Sequence, residues 1–108
     1  MYYTLSLLAG RWKVSILAAL LANKVMRYTE IKNSIAKVSE RMLIKQLKEL
    51  MQDGLILRRD YTEMPPRVEY QISERGKSLQ KVLLELQAWG KKYKTRSVSL
   101  NDAAQISS

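Results

Sequence analysis

The side chains in this 108-residue sequence that could do chemistry are mostly cationic: 19 Lys and Arg stand against 10 Asp and Glu, a formal net charge of +9 at pH 7. The sequence contains no Cys and no His. It therefore offers no thiolate, no disulfide and no imidazole, which removes zinc sites, iron–sulfur sites and Ser–His–Asp triads. No nucleophile, base and orienting group converge, so no enzyme and no cofactor are expected. What remains is positive charge and hydrogen-bond donation. Seven basic residues, Lys24, Arg27, Lys32, Lys37, Arg41, Lys45 and Lys48, fall within 24–48 against only Glu30 and Glu40. A single helix with Arg, Lys and Glu outward is most often a solvated face. Clustering on this scale points instead to a polyanionic partner, with Arg41, Lys45 and Gln46 as the donors suited to base edges and phosphates.

The length allows one small domain, and an apolar content of 46% is that of an ordinary globular protein. No apolar run approaches the roughly 20 residues of a membrane span. Arg11 and Lys13 follow the apolar start rather than precede it, the reverse of a secretory signal, so a cytoplasmic location is expected. Residues 3–9 read as a first helix with Thr4 as its cap and Gly10 as a break or joint. Trp12, Ile16, Leu17, Leu20 and Leu21 form one stripe of a helix that Asn23, a residue tolerant of left-handed backbone, would close. Tyr28, Ile31 and Ile35 predict a short helix. Ser39 then caps a helix with Leu43, Leu47 and Leu50 inward and Arg41, Lys45 and Lys48 outward, ended by Asp53-Gly54.

The period then changes. Leu55, Ile56 and Leu57, followed after Pro65-Pro66 by alternating Val68, Tyr70 and Ile72, predict a β-hairpin with a stiff tip. At that tip Arg67 suits a phosphate or a narrow minor groove, or else a cross-strand partner in Glu63 or Glu69. Ser73 and Glu74 open a last helix to about Tyr93, whose apolar stripe from Leu79 to Tyr93 is widened by Leu84 and Trp89. Lys91, Lys92, Lys94 and Arg96 read as a soluble helix end rather than a second phosphate patch. The resulting fold class is α+β, mainly α: a winged helix-turn-helix with a two-stranded hairpin wing, occupying 1–93, and a polar, frayed tail over 94–108.

Several runs carry a family likeness: Gly10-Arg11-Trp12-Lys13, Arg27-Tyr28-Thr29-Glu30-Ile31, Ser39-Glu40-Arg41-Met42-Leu43, Asp53-Gly54-Leu55-Ile56 and Pro65-Pro66-Arg67-Val68-Glu69-Tyr70. In this order and spacing the chain resembles the HxlR-type winged helix-turn-helix regulators over about residues 5–90. The resemblance implies a cytoplasmic, mostly bacterial transcription regulator that binds double-stranded DNA as a homodimer, with its first and last helices forming the dimer contact. An inverted-repeat operator follows. Carried over by position, 39–48 becomes the recognition helix and 64–67 the wing tip. The implied DNA contacts are Arg27, Tyr28, Ser39, Arg41, Met42, Lys45, Gln46, Lys48 and Arg67. Members commonly carry a Cys-Pro ahead of the first helix, and this sequence has no Cys with which to sense oxidants. No residue singles out a small-molecule effector. The competing expectation is a winged-helix module that binds another protein through the apolar last helix.

Overall fold

A computed structural model describes residues 1–9, 12–35 and 37–94. The expectations placed on Gly10 and on the tail at 95–108 lie outside the described residues. The elements run α1 (Tyr2–Leu8), α2 (Lys13–Asn23), β1 (Val25–Arg27), α3 (Tyr28–Ser34), α4 (Glu40–Gln52), β2 (Ile56–Tyr61), β3 (Arg67–Ile72), α5 (Glu74–Lys77) and α6 (Gln80–Lys94). Among the described residues no single helix is long and apolar enough to cross a membrane.

The core forms where the stripes of α2, α3 and α4 meet one face of the sheet. Ile16, Leu17 and Leu20 from α2, Ile31 from α3, and Leu43, Leu47 and Leu50 from α4 are all essentially without solvent contact. They pack with Leu55, Ile56, Tyr70 and Ile72. Local signals set the ends of α4. The Ser39 hydroxyl accepts from the Met42 N–H at 3.1 Å, satisfying a donor that the first turn cannot. At the other end Gly54 takes φ 74°, a left-handed backbone that turns the chain into β2.

The wing is pinned to this turn. Ser73 Oγ donates to the Gly54 carbonyl at 2.6 Å and accepts from the Gly76 N–H at 3.0 Å, so one hydroxyl caps α5 and closes the base of the hairpin. Gly76 sits so tightly there that a Cβ would overlap the Leu55 carbonyl and the Ile72 side chain. β2 and β3 pair antiparallel with Ile56 opposite Ile72, Arg58 opposite Tyr70 and Tyr61 opposite Arg67.

Four local expectations are corrected. The sheet has three strands, ordered β1-β3-β2, because Val25–Arg27 pairs with Gln71, Tyr70 and Glu69. Three residues are too few to display alternation, and their pairing is set by a distant strand. Thr4 lies inside α1, whose N-cap position is Met1. The left-handed residue after α2 is Lys24, with φ 64°, while Asn23 remains helical and its Nδ2 donates to the Ala19 carbonyl at 2.9 Å. The last helix is split, because the Leu79 N–H bonds back only three residues to the Gly76 carbonyl at 3.0 Å before α6 begins.

Candidate nucleic-acid interface

Arg41, Lys45 and Lys48, at i, i+4 and i+7 on α4, share its exposed face opposite Leu43, Leu47 and Leu50. None of the ion pairs among the described residues involves these three. Lys13 and Arg58, by contrast, are paired. Lys13, almost fully buried, places Nζ 2.9 Å from Glu49 Oε1 and so ties α2 to α4. That hydrogen bond holds the Glu49 carboxyl below the usual carboxylate range. Arg58 Nε lies 3.0 Å from Asp60 Oδ1. Arg41, Lys45 and Lys48 thus share one outward face of α4 without entering an ion pair among the described residues, although Lys45 lies close enough to Glu49 to help lower its pKa.

The start of α3 adds Arg27, which is exposed and whose backbone N–H is taken by Glu30 Oε1 at 2.8 Å, leaving the guanidinium outside. Tyr28 beside it is half-buried, and its hydroxyl has no hydrogen-bond partner among the described residues. Burial first, and then the nearby Glu40 charge, raise its pKa, so the group stays an O–H. Ser39 is exposed and serves as the α4 cap.

Two of the expected contacts turn inward. Gln46 is 6% exposed, with Nε2 donating to Met42 Sδ at 3.4 Å. Met42 is itself half-buried against the core. Spacing accounts for Gln46, which lies three residues after Leu43 and four before Leu50, on the buried stripe. The same i, i+3, i+4, i+7 pattern joins Lys13 to Ile16, Leu17 and Leu20 and would have marked that lysine as a buried, paired one.

At the wing, Arg67 has both of the carboxylate partners the sequence offered. Its NH2 lies 3.3 Å from Glu63 Oε1 and its Nε 3.6 Å from Glu69 Oε2. The guanidinium stacks over the Tyr61 ring at 4.2 Å, and Arg59 approaches the same ring at 6.0 Å. Arg67 braces the hairpin tip, where the Met64–Pro65 bond is cis.

Comparison with known proteins places this geometry. The sequence matches the family described as HxlR-like helix-turn-helix over residues 7–98. It is 47% identical over 88 residues to the uncharacterized HTH-type transcriptional regulator YdzF of Bacillus subtilis (strain 168), spanning 82% of this chain and 81% of that protein. Among solved structures it is similar to the reduced form of the transcriptional regulator YodB from B. subtilis, with a TM-score of 0.77, 36% identity, and coverage of 86% of this chain and 90% of that one. It is also similar to the redox regulator HypR in its reduced form, with a TM-score of 0.82, 31% identity, and coverage of 86% and 91%. With a capped cationic helix followed directly by a braced hairpin, the chain belongs to the HxlR-like helix-turn-helix family of winged-helix transcriptional regulators.

Proposed function

We propose that the protein is a non-catalytic, sequence-specific DNA-binding regulator that acts as a homodimer on an inverted-repeat operator. α4 enters the major groove and the wing lies on the flanking backbone or minor groove. The observation that carries this reading is the face of α4. Arg41, Lys45 and Lys48 are exposed and enter none of the ion pairs among the described residues, whereas Lys13, Arg58 and Arg67 are paired within the protein. Arg41 and Lys45 are the side chains assigned to base edges. Lys48 and Arg27 are assigned to phosphates, and the Ser39 hydroxyl to a single hydrogen bond with the DNA backbone.

Dimerisation is supported by surface that the single chain leaves uncovered. Of the large apolar side chains in α6 only Leu83 is buried, and Val82, Leu84, Leu86 and Trp89 are exposed, as are Tyr2, Tyr3 and Leu5 of α1. Paired through these helices, two copies would present their α4 helices to successive major-groove faces about one turn, ~34 Å, apart. A redox switch of the kind named for HypR has no thiol to act through within these 108 residues. The decisive experiment is selection of a site from random DNA, followed by titration at several salt concentrations. With roughly 6–10 phosphates neutralised, affinity should fall on the order of 10³-fold or more between 50 and 200 mM salt. Weak binding that ignores salt, together with a stable heterologous complex through α6, would instead establish a protein-interaction module.

A further inference from the structure

Between α4 and the wing the surface opens into a cleft of about 590 Å³. Ile44, Met51 and Val68 supply apolar walls, and Lys48 and Arg58 stand on its lining as cations. Ile44 is 53% exposed although it sits in the middle of the helix carrying the cationic face. The Tyr28 hydroxyl also lies on this lining, buried and without a hydrogen-bond partner among the described residues. An unsatisfied buried O–H is a cost that the protein alone does not recover. The one carboxylate on the lining, Glu40, opens α4, eight residues and so about 12 Å of helix rise before Lys48. An anion is therefore disfavoured at the Glu40 end and favoured toward Lys48 and Arg58.

Apolar walls, a lysine set away from Glu40, an arginine held at Asp60 and a waiting hydroxyl donor match a sugar–phosphate better than a bare anion or a purely apolar ligand. We infer that this cleft seats one sugar–phosphate unit of the DNA backbone between the recognition helix and the wing. The deoxyribose packs on Ile44, Met51 and Val68, the phosphate is held by Lys48 and Arg58, and the Tyr28 hydroxyl, on the Glu40 side, donates to a sugar oxygen. The Arg58 guanidinium, held at Asp60, is thereby oriented rather than neutralised, since a guanidinium has donors for both groups. The wing then contributes through Arg58 on the inner side of β2, while Arg67 holds its tip in shape.

This assignment rests on the DNA-binding reading above, and the experiment separates the two. The full chain and its variants Tyr28→Phe and Arg58→Gln are titrated by fluorescence anisotropy with a labelled duplex recovered from random DNA, and with a random duplex of equal length, over a range of salt. Tyr28→Phe should weaken binding to both duplexes about fivefold, the scale of a lost hydrogen bond between neutral groups. Its thermal stability should stay equal to the wild type's or rise, because only an unpartnered hydroxyl is removed. Arg58→Gln should reduce the slope of log affinity against log salt by about 0.9 without changing the ratio between the two duplexes. If the wild type binds with a salt dependence but both variants bind as it does, with an unaltered slope, the cleft assignment is overturned while the DNA-binding reading stands. If Tyr28→Phe lowers stability together with affinity and Arg58→Gln leaves the slope intact, the residues are structural and the assignment falls. A wild type that binds neither duplex overturns both.

Discussion

The two longest helices among the described residues treat their apolar residues in opposite ways. α4 buries Leu43, Leu47 and Leu50 completely and turns its cations outward. α6, longer at 15 residues against 13, buries Leu83 and leaves Val82, Leu84, Leu86 and Trp89 in solvent. Both sequences are amphipathic enough to be helices; what differs is whether the same chain supplies the opposing surface. α4 has α2, α3 and the sheet against it. α6 is reached at its first turns by α2 and then runs on, with the Trp89 ring tilted against its neighbour Tyr93 at 4.8 Å. A helix that satisfies its stripe internally is part of the fold. One that does not is surface made for something else, here assigned to a second copy.

Four substitutions test this contrast, beginning with the largest effect. Leu47→Ala should cost about 2–5 kcal/mol of stability, read from chemical denaturation, because it opens a cavity where α4 meets the core. A cost below 1 kcal/mol would mean that α4 is less firmly built in than its burial indicates. The Lys13 and Glu49 pair gives a smaller, asymmetric effect. Glu49→Gln strands a buried ammonium, whereas Lys13→Met leaves a carboxylate that still reaches solvent, so the first should lower the melting temperature more than the second. The pair also carries a pH signature. The folded Glu49 carboxyl is held below its ordinary value, so its contribution is complete at neutral pH and is lost as pH falls through and below the usual carboxylate range. Lys13→Met should flatten that acid loss, and an unchanged profile would assign the acid sensitivity elsewhere.

The smallest effect on the fold is expected in α6. Trp89→Lys should change the stability of the single chain by no more than about 0.5 kcal/mol. It should nevertheless convert a dimer into a monomer in light scattering, and abolish the dependence of the unfolding midpoint on protein concentration. A variant that loses several kcal/mol as a monomer, or that stays dimeric, would erase the distinction between the two helices.

Much of the architecture was legible in residue spacing. The Ser39 cap, the Leu43, Leu47 and Leu50 stripe, the turn at Gly54, the alternation across Val68, Tyr70 and Ile72 and the Ser73 cap all depend on neighbours a few residues away, and all are present in the structure. The outward set Arg41, Lys45 and Lys48 was legible for the same reason. Gln46 was read by its chemistry ahead of its position, and Lys13 was not read for burial at all: both sit on buried stripes, where spacing overrules polarity. β1, the Lys24 left-handed turn and the break before α6 carried too little local signal.

Residue order by itself determined the helices, the hairpin, the excess of charge between Lys24 and Lys48 and the absence of thiol and imidazole chemistry, since each follows from composition or from a period shorter than two helical turns. Tertiary structure decided which cations enter ion pairs. Lys13 meets Glu49 across 36 positions of sequence, Arg67 is held by Glu63 and Glu69 over the Tyr61 ring, and Arg41, Lys45 and Lys48 enter no ion pair among the described residues. It also brought Tyr28, Lys48 and Arg58, from three separate elements, onto one cleft. Charge is a property of composition, but its availability depends on which groups packing brings within a few ångströms of one another.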